Sequence, residues 1–275
     1  MAGPLVSLLS DFGARDPSAA IMRGVVLGIC PDARIVDISH EVHKYAIRDG
    51  ALLLWCALPY LPVGFHVAVV DPGVGTARLP IAIATNRGDV LIGPDNGLLV
   101  GAAGRLGGIR AVHVLEADAY RLPVISTSFH GRDIFAPAAA HLANGVSIAE
   151  LGRALDPAAL VASPIAEPVI RPGELGSTIV YVDTFGNVKL AGLRADLEAA
   201  LGPVRPGDIL RLALAGGRAI ETTWQATFGD VAAGETLVYE DSYSRICLAA
   251  SQASAAAIHG LVDDLALTVT RSAGR

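Results

Sequence analysis

Cysteine is scarce in this sequence: it has three residues in 275, Cys30, Cys56 and Cys247. They lie in apolar stretches and have no paired spacing, which argues against a disulfide framework. We therefore expect buried, reduced thiols and a cytoplasmic protein.

Long apolar runs and basic clusters are also missing. The longest apolar stretch, residues 51–61, is broken by Pro59 and is too short to cross a bilayer. One short apolar segment precedes Asp11, so no signal peptide is predicted. The formal net charge is −6, and no stripe of Lys and Arg occurs. These features predict neither a membrane nor a nucleic-acid partner.

Hydrophobic residues make up 52% of the chain and charged residues 17%. This composition is typical of a compact protein and unlike that of a disordered one. A chain of 275 residues can form one large domain or two modest ones.

Strands alternate with helices in the first part of the chain, which predicts a mainly parallel sheet covered on both faces. The predicted strands span 5–9, 34–38, 65–70, 79–84, 90–92 and 111–114. Four helices are predicted. One begins after Ser18 as its N-cap, one spans 47–58, one begins after the loop 93–97, and one spans 133–143.

The pattern changes after residue 155. Four X-Pro pairs within 156–173 predict an extended linker. Short strands then follow at 177–182, 188–191, 208–215, 218–223, 236–239, 245–250 and 265–270. We predict an α/β sandwich domain over 1–155 and a smaller β-barrel domain over 174–275.

Polar residues end one of the predicted buried strands. The segment Val-Val-Asp-Pro-Gly-Val-Gly-Thr-Ala-Arg at 69–78 places Asp71 at the strand end and Arg78 seven residues later. The segment 128–137 places His130 just before a predicted helix. Together they supply an acid, a guanidinium and a base. A buried Asp71–Arg78 ion pair with a capping His130 is the structural alternative.

Other site patterns are incomplete. His40 and His43 have no third metal ligand at usable spacing, so we predict no metal site. Gly73 and Gly75 are not followed by the third glycine of a dinucleotide fingerprint. No phosphate loop and no Gly-x-Ser-x-Gly nucleophile elbow occurs.

Six ordered motifs carry a resemblance that covers residues 10–251. They are Ser-Asp-Phe-Gly (10–13), Asp-Ile-Ser-His (37–40), Val-Asp-Pro-Gly-Val-Gly-Thr (70–76), Gly-Pro-Asp-Asn-Gly (93–97), Phe-His-Gly-Arg-Asp (129–133) and Asp-Thr-Phe-Gly-Asn (183–187). The chain resembles the S-adenosyl-L-methionine (SAM) hydroxide adenosyltransferases, hydrolase relatives of the fluorinating and chlorinating SAM enzymes.

The resemblance implies hydrolysis of SAM to adenosine and L-methionine by attack of water or hydroxide on C5′. SAM is the substrate, and no cofactor is implied. The resemblance also implies a homotrimer, with SAM between the N-terminal domain of one subunit and the C-terminal domain of its neighbour.

The resemblance assigns catalysis to Asp71, Arg78 and His130, without saying which residue is the formal base. It implies substrate-binding roles for Asp11 (ribose), Tyr45 (beside the sugar), Asp183 (ammonium), Phe185 (adenine stacking), Asn187 (base edge), Ser242 (carboxylate) and the backbone near Gln252 (adenine edge). Gly131 leaves space where the fluorinating enzyme has a halide-binding serine. In isolation, the segment 183–187 is typical of an ordinary β-turn.

One position departs from the halogenating relatives. Tyr243 stands where they have an arginine, which affects recognition of the methionine carboxylate. Arg245 is a substitute, unless strand alternation turns it away.

Three alternatives remain. A halogenase would use chloride in place of water, but a carboxylate at Asp71 would repel a halide. A non-catalytic SAM or adenosine sensor would not need the three catalytic residues. An unrelated metal-dependent hydrolase is the most distant alternative.

Overall fold

The computed structural model describes residues 3–272, and the chain divides into two units between Pro164 and Ile165. The first unit is built on a six-stranded sheet. Its strands are β1 (Leu5–Ser10), β2 (Arg34–Ser39), β3 (Phe65–Val69), β4 (Pro80–Thr85), β5 (Val90–Pro94) and β6 (Ile109–Val114). The strand order is β2-β1-β3-β5-β4-β6.

The pairings agree with the predicted mainly parallel sheet. β1 pairs in parallel with β2 and β3, and β3 pairs in parallel with β5. Only β4 runs antiparallel to its neighbours β5 and β6 among the described strands of this sheet, because a tight turn joins it to β5.

Helices cover both faces of this sheet, as expected for buried parallel strands. The helices are α1 (Ser18–Ile29), α2 (Ile47–Ala57), α3 (Val100–Arg105) and α4 (Ala136–Ala143). On one face, Met22 of α1 and Ala139 of α4 share a core with Leu8 of β1. On the other face, Gly50 of α2 lies against Leu9, Val70 and Leu98.

The predicted N-cap at Ser18 is wrong. The helix begins at Ser18, but Pro17 occupies the capping position and makes no side-chain capping bond. Asp16 accepts hydrogen bonds from both the backbone amide (2.8 Å) and the hydroxyl of Ser18. Asp16 therefore does locally what a capping side chain would do.

A buried polar chain ties the strands together. Ser7 Oγ lies 2.7 Å from His66 Nδ1, and His66 Nε2 lies 3.0 Å from Asp89 Oδ1. Arg87 also donates to Asp89. Each of Ser7, His66 and Asp89 is at most 1% exposed, so no substrate reaches them and the chain is structural.

The second unit is a closed barrel, as predicted. Its strands are β7 (Val169–Arg171), β8 (Glu174–Val182), β9 (Val188–Leu193), β10 (Ile209–Leu214), β11 (Ala219–Trp224), β12 (Thr236–Glu240), β13 (Arg245–Ala250) and β14 (Ala266–Arg271), with helices α5 (Arg194–Leu201) and α6 (Ala255–His259). The strand order is β14-β10-β11-β12-β13-β9-β8-β7, and pairing of β14 with β8 closes the sheet. Alternate side chains such as Leu210, Leu212 and Leu214 fill the interior.

The Pro-rich segment 156–173, interpreted from the sequence as a linker, has structure of its own. It contains a short helical turn at Pro157–Ala159 and the strand β7. Val161 N donates to Asp95 Oδ1 at 3.0 Å, which attaches the start of the segment to the first unit. The boundary between the units lies within this segment.

The expectation of buried thiols is confirmed. Cys30, Cys56 and Cys247 are all buried, and none forms a disulfide within the described residues. Over residues 3–272, no helix has both the length and the apolar character needed to span a membrane.

Candidate active site

Two loops of the first unit bring the predicted catalytic residues together. The loop after β3 carries Asp71, and Asn96 supports it by donating to the carbonyl of Val70 at 2.9 Å. Gly75 has φ +77°, and a Cβ there would lie 2.4 Å from the carbonyl oxygen of Thr127. Only glycine allows this approach, so the loop lies directly against the segment that precedes His130.

Arg78 joins the other two members of the trio. Its Nε donates to Asp71 Oδ1 at 3.2 Å, and its Nη2 contacts Asp71 Oδ2. The same Nη2 lies 3.1 Å from His130 Nδ1. A guanidinium can only donate, so Nδ1 must accept, and His130 is neutral with its proton on Nε2.

The pKa of His130 agrees with this tautomer. Burial lowers it below its ordinary value of 6.5, and the positive charge of Arg78 lowers it further. The carboxylates of Asp71 and Asp133 oppose these effects without reversing them. The imidazole is therefore uncharged at neutral pH.

The segment that carries His130 is held by an unusual helical start. Gly131–Phe135 forms a single π-helical turn that continues into α4. Asp133, which is fully buried, accepts from Ser126 N at 2.8 Å and from Arg132 Nε at 2.6 Å. π-helical turns often occur at functional sites, and this one fixes the position of His130.

A cavity of about 280 Å³ opens at this point; we call it the N-terminal cavity. It is lined by Asp11, Phe12, Lys44, Tyr45, Val69, Asp71, Val74, Ser128, Phe129, His130 and Gly131. Arg78 does not line it but lies behind Asp71 and His130, with its guanidinium 5.4 Å from the ring of Phe135. Tyr45 is 72% exposed, and its backbone amide donates to Asp11 Oδ2 at 2.9 Å.

His40 supports the loop that carries Asp11. His40 Nδ1 lies 2.7 Å from Ser10 Oγ, and its Nε2 lies 3.0 Å from Asp37 Oδ1. Its carbonyl accepts from Gly13 N at 2.7 Å, so His40 fixes the loop that carries Asp11. Within residues 3–272, no group of three His, Cys, Asp or Glu residues is arranged to hold a metal ion.

A second cavity of about 730 Å³ lies in the barrel unit; we call it the C-terminal cavity. It is lined by Asp183, Phe185, Asn187, Lys189, Phe228, Tyr239, Asp241, Ser242, Tyr243, Ala250, Gln252, Ala253 and Ser254. The two cavities together account for every predicted site residue except Arg78, which supports the N-terminal cavity from behind.

The 183–187 segment is both a tight turn and part of the cavity wall. Asp183 Oδ1 accepts from the backbone amides of Phe185 (3.0 Å) and Asn187 (2.9 Å), and Oδ2 accepts from Asn187 Nδ2 at 2.9 Å. The turn leaves Phe185 79% exposed, and its side chain lines the cavity. An exposed phenyl ring in such a place is suited to stacking against a planar ligand.

Sequence reasoning missed a charged group in this cavity. Lys189 Nζ lies 2.5 Å from Asp241 Oδ2 and 5.2 Å from the centre of the Tyr243 ring. Asp241 Oδ1 accepts from the backbone amides of Tyr243 (2.8 Å) and Arg245 (2.9 Å). Arg245, the suggested substitute for the missing arginine, is buried and is not part of the cavity wall.

A signal for Lys189 was present in the composition. The chain has only two lysines, Lys44 and Lys189, and each lines one of the two cavities. Lys44 donates to the backbone carbonyl of Asp11.

Comparisons with known proteins place this architecture in a family. The sequence profile described as the SAM hydroxide adenosyltransferase N-terminal domain matches residues 6–152, and that of the C-terminal domain matches residues 177–264. A (R)-S-adenosyl-L-methionine hydrolase of Salinispora tropica is 42% identical over 269 residues, covering 97% of this chain and 98% of that protein. One of Thermus thermophilus is 37% identical over 268 residues, covering 94% and 97%.

More distant relatives and solved structures agree. A fluorinase of Actinopolyspora mzabensis is 28% identical over 295 residues, covering 98% of each chain. The crystal structure of an uncharacterized conserved protein from Thermotoga maritima matches with a TM-score of 0.89 and 29% identity, covering 97% of this chain and all of that one. The chain belongs to the SAM hydroxide adenosyltransferase family.

Proposed function

We propose that the protein is a hydrolase that converts SAM to adenosine and L-methionine by in-line attack of water or hydroxide on C5′. The carrying observation is that Asp71, Arg78 and His130 form one hydrogen-bonded group at the N-terminal cavity. The family membership of the chain and the names of its relatives support this assignment.

The leaving group of this reaction needs little assistance from the protein. The bond between C5′ and the sulfonium sulfur breaks, and its electron pair leaves with a neutral thioether, so no general acid is required. The nucleophile is the difficult part, because bulk water has a pKa of about 15.7. The site must therefore orient a water molecule and accept its proton.

The hydrogen bonds around Arg78 suggest how these tasks are divided. The single lone pair of His130 Nδ1 already accepts from Arg78, whereas each oxygen of Asp71 keeps a second lone pair. The proton of the attacking water therefore goes to the carboxylate of Asp71. Nε2–H of His130 can donate to the same water and orient it. Arg78 keeps Asp71 and His130 in place, and its positive charge favours developing hydroxide.

We propose that the substrate is bound by the other cavity residues. Asp11 holds the ribose hydroxyls and Tyr45 lies beside the sugar. Asp183 binds the methionine ammonium and Ser242 the carboxylate. Phe185 stacks on adenine, while Asn187 and the backbone near Gln252 meet its edge.

We also propose that the chain forms a homotrimer in which SAM lies between the N-terminal domain of one subunit and the C-terminal domain of another. The exposed rings of Tyr45 and Phe185 support this arrangement, because a ligand and a neighbouring subunit would cover them. No cofactor takes part in the proposed reaction. The buried, reduced cysteines are consistent with action in the cytoplasm.

The test is incubation of purified protein with SAM in water enriched in ¹⁸O. We expect adenosine labelled at O5′ and unlabelled methionine, with the same rate in the presence of a chelator. Formation of 5′-chloro-5′-deoxyadenosine in added chloride would establish the halogenase instead. Intact SAM after prolonged incubation with abundant protein would favour the sensor.

A further inference from the structure

We propose that Lys189 recognises the carboxylate of the substrate's amino-acid group and thereby selects SAM over its decarboxylated form. This inference rests on the proposed function, because it takes SAM as the ligand. It concerns the part of the C-terminal cavity that is lined by Lys189, Asp241 and Tyr243.

The charges of the C-terminal cavity are complementary to those of SAM. Its lining contains two carboxylates, Asp183 and Asp241, and one cation, Lys189. The amino-acid end of SAM presents one ammonium and one carboxylate, and the sulfonium adds a further positive charge. Two acids and one lysine therefore match the whole substrate in charge.

Without Lys189, the same cavity would be a site for cations alone. Two carboxylates would repel a third carboxylate brought into a partly dry cavity. They would attract the decarboxylated substrate, which has only the ammonium and the sulfonium. Lys189 is thus the one described lining residue whose charge favours the carboxylate.

The surroundings of Lys189 keep its ammonium in place before the substrate arrives. Its contact with Asp241 Oδ2 and the ring of Tyr243 fixes the end of a long side chain. This reduces the entropy that is lost when a ligand is bound. Asp241 is itself anchored by two backbone amides, so it can hold Lys189 without moving.

The sequence order places the other carboxylate ligand next to Lys189. Ser242 lies between Asp241, which contacts Lys189, and Tyr243, whose ring lies near the ammonium. Both residues line the same cavity: Ser242 from the loop before β13, and Lys189 from β9. A hydroxyl and an ammonium together form a suitable carboxylate site. In this chain, the cation of the proposed carboxylate site therefore comes from strand β9.

The experiment compares SAM with decarboxylated SAM in the wild type and in Lys189→Met. We expect the wild type to favour SAM in kcat/KM by about 10- to 100-fold, as for a charge-assisted hydrogen bond. In Lys189→Met this preference should fall to about one or reverse, because activity on SAM declines while that on the decarboxylated substrate is kept. Lys189→Arg should retain part of the preference.

Two further variants control for folding and for charge in general. Lys189→Met combined with Asp241→Asn removes both charges, so no buried acid is left unpaired, and should show the same loss of preference. Lys44→Met makes the same substitution in the other cavity and should leave the ratio between the two substrates unchanged.

The outcomes distinguish the two proposals. Equal losses on both substrates in Lys189→Met and in the double variant, or an unchanged preference, would overturn the role of Lys189. A wild type that hydrolyses both substrates equally well would also overturn it, and the hydrolase assignment would stand. A wild type that hydrolyses neither, yet binds SAM more tightly than decarboxylated SAM in a Lys189-dependent way by calorimetry, would reject the hydrolase and retain the carboxylate site.

Discussion

Arg78 determines where protons can be placed in the N-terminal cavity. It donates to both Asp71 and His130, and this removes one of the two nitrogens of His130 as a proton acceptor. The structural alternative considered from the sequence is half right: the Asp71–Arg78 ion pair is present, but the side chain of His130 contacts Arg78 and makes no capping bond. The same contacts hold Asp71 in place at the cavity, so this structural role is compatible with the catalytic role proposed above.

At this scale we predict that Asp71→Asn and Asp11→Asn affect different kinetic constants. Asp71→Asn removes the proton acceptor and should lower kcat by about 10²- to 10⁴-fold with little change in KM. Asp11→Asn should mainly raise KM, because its ribose contacts exist already in the ground state. Steady-state kinetics with SAM measure both. A loss of SAM binding in Asp71→Asn as large as its loss of turnover would assign that residue to structure.

We also predict that activity is lost at low pH when His130 becomes protonated. Its pKa is lowered by burial and by Arg78, so the acidic limb of the plot of kcat against pH should lie below pH 6.5. Protonation at Nδ1 would break the bond from Arg78 and add a second positive charge beside it. Activity should therefore decline only as the pH falls through this lowered pKa.

An NMR titration provides the check. In Asp71→Asn the pKa of His130 should fall further, because the carboxylate of Asp71 raises it in the wild type. The pKa of His141, which is lowered by burial, should not change and serves as the internal control. A His130 pKa that rises in this variant would contradict the proposed arrangement.

At the scale of elements, the site depends on two loops that touch through a glycine. Gly75 has no room for a side chain, because the carbonyl of Thr127 lies where a Cβ would be. The loop of Asp71 and the segment of His130 are held together at this contact. The π-helical turn after His130 and the buried Asp133 then fix the segment that carries His130.

Gly75→Ala should therefore lower both activity and stability. The clash forces the two loops apart, and the distance between Arg78 and His130 must increase. We expect kcat to fall by at least about tenfold, in line with the sensitivity of catalysis to small displacements. Gly145→Ala is the matched control: Gly145 also has positive φ (+93°), but nothing lies within 4 Å of the added Cβ. If both variants lose only similar stability and keep full turnover, the glycine contact does not position the site.

At the scale of the whole molecule, the predicted site residues fall into two groups, one in each unit. Asp11, Tyr45, Asp71, His130 and Gly131 line the N-terminal cavity. Asp183, Phe185, Asn187, Ser242 and Gln252 line the C-terminal cavity. The proposed function uses both groups, and the proposed trimer would supply them from different subunits.

Subunit mixing tests this proposal. Asp71→Asn and Asp183→Asn should each be nearly inactive as homotrimers. When the two variants are reassembled together, some sites should contain both native acids, and part of the activity should return. As controls, each variant taken through the same reassembly without the other should remain inactive. No recovery in mixtures shown by mass spectrometry to contain both variants would contradict a site shared between subunits.

Much of the fold was predictable because its signals are local. Alternating strands and helices indicated the covered, mainly parallel sheet, and closely spaced short strands indicated the barrel. Asp71, at the end of the buried strand β3, could likewise be singled out from neighbouring residues, whereas Phe185 was assigned only through the family resemblance. The order of six motifs then indicated the family.

Long-range contacts were decided only by the tertiary structure. The tautomer of His130 follows from a bond to Arg78, 52 residues away in the chain. Lys189 contacts Asp241, also 52 residues away, at the wall of the C-terminal cavity. The Pro-rich segment gained a strand because β8 offers it a pairing partner. Sequence patterns report the neighbours of a residue along the chain, whereas charge, protonation and pairing depend on its neighbours in space.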